Sequence, residues 1–253
     1  MEKIIDIEER IPTLKERRKK RTNRRFLMLI AIFVITLLTL LYFQSPLSHI
    51  AKITVEGNHL KSKEYYIKHS GLGKGDSLWE FKRNTVENLL KEQKIVKNVS
   101  VKRNWPNDIT ISVTEYQQVA YLKENDHYNL VLSDGTILHL NNTPSSLNMP
   151  ILVGFEDEKT RMKMIHQLNE LNNELISLIS QVNALPNDSN PYAIQMFMND
   201  GFEVRASIPT LADKLKYYPS IISQVKKGEK GVIDLEVGTF YRSYNSEYGA
   251  STK

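Results

Sequence analysis

The stretch VSVKRNWPNDITISV, residues 99–113, holds two alternating apolar runs around a turn. Val99 and Val101 mark one strand and Ile109, Ile111 and Val113 the next, because a side-chain period of two puts each set on one face of a sheet. Asn104-Trp105-Pro106-Asn107-Asp108 supplies the turn. Moving toward the N-terminus, Thr85 to Lys94 reads as a helix with Val86, Leu89 and Leu90 on one side, preceded by the loop Gly71-Leu72-Gly73-Lys74-Gly75-Asp76. Ser62 is placed to cap an earlier helix, in which Tyr66 and Ile67 are apolar and which Gly71 ends. Ile50, Ile53 and Val55 give a first strand, closed by the turn pair Gly57-Asn58. The order strand, helix, helix, strand, strand predicts two helices on one face of a three-stranded sheet, a small independent domain whose sheet edges are open to docking.

Just upstream, Phe26 to Phe43 is uncharged for 18 residues, and eight cations sit between Lys15 and Arg25. That length matches the ~17 to 25 residues that cross a bilayer core as a helix. Thr36, Thr39 and Tyr42 are its polar interruptions, and each threonine hydroxyl can bond back within the helix. Juxtamembrane Lys and Arg favour the cytoplasmic side, so residues 1–25 are expected inside and the body outside. An uncleaved anchor over residues 26–46 fits better than a signal peptide. The apolar run exceeds the usual ~7 to 15 residues, and Gln44-Ser45-Pro46-Leu47-Ser48 offers no Ala-x-Ala pattern.

The formal charge of +5 lies wholly in the arm, since residues 1–25 hold ten Lys or Arg against five Asp or Glu and the remainder is 24 against 24. A near-neutral body gives no support to nucleic-acid binding. With no cysteine, an external domain must be held by its core, without disulfides. Beyond Tyr116 the pattern is β-rich. Val119 to Leu122 and Asn129 to Leu132 read as strands, Ser133-Asp134-Gly135 turns into Thr136 to Leu140, and Met149 to Gly154 closes that part. Met164, Leu168, Leu171, Leu175 and Leu178 predict one amphipathic helix from Asp157 to Ser180. A hairpin of Ala193 to Met198 and Glu203 to Ala206 turns at Asn199-Asp200-Gly201. Leu211, Leu215, Tyr218 and Ile222 suggest a helix kinked or restarted at Pro219. A last strand is expected from Val232 to Val237, and a polar, disordered tail over residues 245–253.

The order of the first domain, with Ile53-Thr54-Val55-Glu56-Gly57-Asn58 and the run Val101 to Glu115, resembles a POTRA domain. Following a single anchor, it is similar to the DivIB/FtsQ family of bacterial cell-division proteins. The Asp134-Gly135 hairpin, the Pro150 to Gly154 segment and Val232-Ile233-Asp234-Leu235 look like that family's β domain. The fold class expected is therefore α+β: one transmembrane helix, a βααββ POTRA domain over residues 47–116, and a mixed β-rich domain with packed helices over residues 117–244.

The resemblance implies a non-enzymatic scaffold at the division septum, in the cell membrane. Its partners would be coiled-coil proteins of the DivIC/FtsB and FtsL types and a septal penicillin-binding protein. Exposed aromatics beside a terminal edge strand suit a partner strand, since backbone bonds give affinity and alternate side chains selection. In the family the C-terminal strand region docks the coiled-coil proteins. Carried over, the partner-binding set is Val232, Asp234, Leu235, Glu236, Phe240, Tyr241 and Tyr244.

Other motifs point less far. Ser223-Gln224-Val225-Lys226 fits the Ser-x-x-Lys pattern of penicillin-binding enzymes, and Ser243-Tyr244-Asn245 fits Ser-x-Asn, but no Lys-Thr-Gly or Lys-Ser-Gly completes a site. An envelope protein that binds or modifies peptidoglycan is the alternative reading. A POTRA chaperone for barrel assembly would need tandem units and a long barrel, more than 253 residues hold. The six histidines include no i, i+4 or His-x-His pair, and no metal or cofactor is expected. The Gly71 to Gly75 loop lacks Walker spacing. Trp79, Phe81 and Trp105 either form an aromatic surface or pack over the small sheet.

Overall fold

The computed structural model describes residues 14–125, 127–140 and 147–249; the start of the expected cytoplasmic arm and the last four residues of the expected tail lie outside these. Helix α1 runs Leu14–Gln44. Within it, Thr22–Gln44 is long and apolar enough to cross a membrane, and none of this span is buried by the rest of the chain. Thr36 and Thr39 donate to the carbonyls of Ile32 and Ile35, so each hydroxyl is satisfied inside the helix, as its apolar surroundings require.

The first compact unit continues as β1 Lys52–Glu56, α2 Lys63–Ser70, α3 Arg83–Lys91, β2 Val96–Asn104 and β3 Asp108–Glu115, the βααββ order expected. Its sheet has the order β1-β3-β2, with β1 parallel to β3 in the register Ile53↔Ile109 and Val55↔Ile111. Period-two burial along β3 turns Ile109, Ile111 and Val113 inward, where Tyr66 of α2 and Val86 and Leu90 of α3 are also buried. Ser62 accepts the Tyr65 amide as N-cap of α2, and Gly71 ends the helix at φ 68°. Glu87 of α3 accepts the Val101 amide at 2.8 Å and so ties that helix to β2. α3 begins earlier and ends earlier than its apolar spacing suggested, and Leu89 stays 40% exposed.

The second unit is built on a nine-stranded sheet. Its strands are β4 Gln118–Glu124, β5 His127–Leu132, β6 Ile137–Leu138, β7 Ile151–Val153, β8 Ile179–Ala184, β9 Ala193–Met198, β10 Glu203–Ser207, β11 Gly231–Asp234 and β12 Phe240–Ser243. They lie in the order β12-β11-β10-β9-β8-β7-β4-β5-β6. The pairs β10 with β11, β4 with β7 and β7 with β8 are parallel. The helices are α4 Glu158–Glu170, α5 Asn173–Leu178, α6 Leu211–Leu215, α7 Tyr218–Ile222 and α8 Tyr244–Tyr248. One core joins Met164, Ile165 and Leu168 of α4 and Leu211, Leu215 and Tyr218 of α6 and α7 to Leu152, Val182, Met196, Val204 and Ile233 of the sheet.

Three expectations are corrected here. The single helix from Asp157 to Ser180 is two: α4 stops at an extended Leu171, Asn172 caps α5 by accepting the Leu175 amide, and the chain enters β8 at Ile179. Gly231–Asp234 is not the last strand, since β12 pairs beyond it with Ile233↔Tyr241 and Asp234↔Phe240. Residues 245–248, read as the start of a disordered tail, belong to helix α8, Tyr244–Tyr248, with Ser243 as N-cap.

Two glycines are demanded by backbone approach. Gly57 has φ +78°, and a Cβ there would collide with the Val113 carbonyl; Gly231 faces Arg242 and Ser243 backbone in the same way. Gly57→Ala should destabilise the βααββ unit by at least about 1 kcal/mol, because the new side chain meets both a disfavoured φ and a backbone atom. Urea unfolding of the full chain in detergent, followed by amide exchange in β1 and β3, should register this loss while β9 and β10 keep their protection.

Candidate partner-binding edge

β12 is a terminal strand of the nine-stranded sheet: one of its sides is paired to β11, and the other has no strand partner among the described residues. Along it Phe240 and Arg242 are exposed, whereas Tyr241 and Ser243 are half-buried. Phe240 is 58% exposed and Val237, in the turn before it, 95%. The Tyr241 ring meets Phe202 edge-on at 6.4 Å, and its hydroxyl is buried without a hydrogen-bond partner among the described residues. The turn from β11 to β12 is held locally: Asp234 accepts the Glu236 amide at 2.9 Å, Asn190 donates to the Glu236 carboxylate, and Lys214 Nζ reaches the carbonyls of Leu235 and Glu236 at 2.6 and 2.7 Å.

Behind the edge, α8 is docked by an ion network. Arg205 of β10 pairs with Glu203 at 3.1 Å and with Glu247 at 2.7 Å, and Arg242 of β12 reaches the other Glu247 oxygen at 3.1 Å. The Tyr248 hydroxyl donates to Glu203 at 2.7 Å, and Tyr244, stacked on Tyr248, donates to the Gly201 carbonyl. Glu203 is 3% exposed and is therefore dependent on these donors. The hydrogen bond from Arg242, followed by that from Arg205, holds the Glu247 carboxyl below the usual glutamate range. Beneath the neighbouring turn, burial and then the Asp200 carboxylate push the Tyr218 phenol far up; its hydroxyl donates to Asp200 at 2.8 Å.

The seven residues expected to contact a partner separate into three groups. Val232 and Leu235 are core, 3% and 1% exposed, against the expectation of exposure that followed from taking their strand as the edge. Asp234 and Glu236 are engaged in holding the turn, and Tyr244 belongs to α8. Phe240 and Tyr241 do lie on the edge strand. Val237 and Arg242, which were not among the seven, are exposed beside them.

The motifs weighed for catalysis sit in ordinary structural roles. Ser223 is exposed at the C-cap of α7 and donates to the Ser220 carbonyl, and Ser243 caps α8. In the glycine-rich loop Asp76 already accepts the Gly73 amide at 2.6 Å, a carboxylate where a phosphate would need to lie. Among the described residues no three His, Cys, Asp or Glu side chains group as metal ligands.

An N-terminal apolar helix, a βααββ domain and a mixed sheet with an open C-terminal edge define a POTRA-bearing protein with one candidate membrane span among the described residues. Residues 48–116 match the family model of the FtsQ-type POTRA domain, and residues 120–236 that of the C-terminal region of cell division protein FtsQ/DivIB. Cell division protein DivIB of Solibacillus silvestris is 46% identical over 251 residues, covering 98% of this chain and 87% of the relative. DivIB of Bacillus subtilis is 40% identical over 253 residues, covering 100% and 96%. The chain belongs to the DivIB/FtsQ family of bacterial cell-division proteins. A solved structure of the major extracytoplasmic domain of DivIB from Geobacillus stearothermophilus, trans isomer, is similar at 29% identity with a TM-score of 0.40, covering 46% of this chain and 98% of that one.

Because the folded value of Glu247 lies below its unfolded value, its contribution to α8 docking is fully present above the ordinary glutamate range and is lost as pH falls through the folded value. Amide exchange at residues 244–248 should therefore be protected at neutral pH and accelerate on acidification. Glu247→Gln should show weak protection that no longer responds to pH in that window.

Proposed function

We propose that this protein is a non-enzymatic, membrane-anchored scaffold of the bacterial division machinery, and that it recruits partners by strand addition at β12. The observation that carries this reading is the unpaired outer side of β12 beside exposed Phe240 and Val237, with α8 fixed behind it. A partner strand would gain backbone hydrogen bonds there and bury aromatic and aliphatic surface. Family membership supports the choice of partners: coiled-coil division proteins of the DivIC/FtsB and FtsL types, and through them a septal penicillin-binding protein.

In this reading residues 1–25 are a cytoplasmic arm and 26–46 the transmembrane helix. A POTRA domain over 47–116 and a β domain over 117–244 lie outside the membrane, at the septum. The cation-rich segment before Phe26 supports that orientation. Helix α8, Tyr244–Tyr248, extends the β domain past residue 244.

Capture of the coiled-coil partners by the full chain in detergent tests the edge. Phe240→Asp should weaken capture about tenfold or more, the loss of a single anchor worth about 1.4 kcal/mol, without changing the unfolding midpoint. Leu235→Asp should instead unfold the β domain, since it puts a charge in the core. Unchanged capture by Phe240→Asp and Val237→Asp would remove β12 as the site. Covalent labelling of the chain by a penicillin, lost in Ser223→Ala, would overturn the scaffold reading itself.

A further inference from the structure

The chain has two tryptophans, and neither belongs to the edge described above. Both lie at the end of the POTRA domain that meets α1. Trp79 donates its indole N–H to the Tyr42 hydroxyl at 3.1 Å, and Tyr42 stands two residues before the helix ends. From there the chain makes a tight turn. Ser45 caps a 3₁₀ turn over Pro46–Ser48, and the Ser48 hydroxyl reaches the carbonyls of Phe43 and Ser45.

Backbone bonds then join this turn directly to the domain. The Leu78 amide donates to Ser48, the Ile50 amide to Asp76 and the Gly75 amide to Ile50, all at 2.8–2.9 Å. On the other side, the Ala51 amide donates to the Asn107 carbonyl, and the Asn107 side chain reaches the Pro46 carbonyl at 3.3 Å. That bond brings the turn carrying Trp105 to the same end. Arg103 of β2 fixes the Trp79 loop, with Nε on the Leu78 carbonyl, Nη2 on the Phe81 carbonyl, and its guanidinium 4.2 Å over the Phe81 ring. The two indoles are nevertheless open: Trp79 is 55% exposed and Trp105 93%.

Distance decides what they are exposed to. Four residues from Gln44 to Ser48 reach at most ~14 Å when extended. Folded as a 3₁₀ turn at ~2 Å per residue, they reach less. The polar layer of one leaflet is itself roughly 5–8 Å thick. If α1 spans the bilayer, an indole bonded to Tyr42 is held in that layer, where Trp and Tyr rings are favoured because one end is apolar and the other polar. This explains why large aromatic surface is left uncovered on a small domain.

We propose that the POTRA domain docks on the phospholipid head-group layer of the leaflet that α1 leaves at Gln44, with Trp79 and Trp105 as its lipid contacts and Tyr42 as the hinge partner of Trp79. The proposal rests on the reading of α1 as a membrane span. It makes the domain's orientation to the membrane a built feature, fixed by two rings and a stitched connection.

The test uses the full chain reconstituted into phosphatidylcholine vesicles, as Trp105→Phe, which keeps Trp79 alone, and Trp79→Phe, which keeps Trp105 alone. Vesicle flotation first reports whether the protein is inserted. Fluorescence is then quenched by lipids brominated near the top of the acyl chain, by lipids brominated near its middle, and by aqueous iodide. Both single tryptophans should emit to the blue of free indole, lose most intensity to the shallow bromine and little to iodide, and Tyr42→Phe should shift Trp79 alone toward iodide. Floating protein in which either tryptophan is quenched by iodide and not by bromine overturns the docking while leaving the anchor intact. Failure to float overturns the anchor reading, and the docking with it.

Discussion

Twenty-three residues of helix, Thr22 to Gln44, form an apolar span that the chain itself does not bury. At 1.5 Å per residue this is about 34 Å of helix, close to the ~30 Å of hydrocarbon in a bilayer. Lipid is the solvent that satisfies such a surface, and the consequence reaches into the neighbouring domain. The chain leaves the helix through a three-residue turn whose hydroxyl and amide groups are all engaged, and enters hydrogen bonds with residues 75–78 at once. Nothing there behaves as a linker. The βααββ unit is attached to the end of the span by backbone pairing, at the end of the domain where Trp79 and Trp105 are exposed.

The same accounting of backbone groups governs the β domain. An open sheet ends in strands whose outer amides and carbonyls have no sheet partner, a template for pairing with other chains. One end of this sheet is β6, only two residues long. The other is β12, four residues long, with Arg242 on its exposed face and α8 beside it. Shortness and charge limit unselective pairing, while Phe240 and Val237 leave apolar surface that a matched strand can cover. The close approach of β12 to β11 depends on Gly231, since a Cβ there would strike the Arg242 carbonyl.

Much of this was legible wherever a local signal and the tertiary outcome agree. Ser62 and Gly71 bound α2 by cap chemistry, Asn199-Asp200-Gly201 turns β9 into β10, and period two identified β3. What was missed has a physical reason in each case. Leu175, Leu178, Ile179 and Val182 keep helical spacing, and a bulge between Ile179 and Gln181 breaks the strand's period of two, so β8 was hidden behind helical periodicity. β12 has four residues and no apolar alternation, and its strand character comes from pairing with β11. Taking β11 for the edge then put Val232 and Leu235 among the expected contacts, although their apolar character reflects the core.

The ion network behind β12 is better understood as a device of position than as a source of stability. Glu203 is buried, and a buried carboxylate costs several kcal/mol to desolvate, which its pairing with Arg205 only roughly offsets. An apolar cluster of the same volume would hold the domain at least as firmly. It would not, however, specify where Tyr244 and Tyr248 stack, because apolar contacts are not directional. The fork of Arg205 does specify it, joining Glu203 on β10 to Glu247 and Tyr248 on α8, while Arg242 brings β12 into the same network. Three elements are thereby fixed relative to one another. A strand edge offered to a partner gains affinity from being held in place before binding, since less conformational freedom remains to be lost on association.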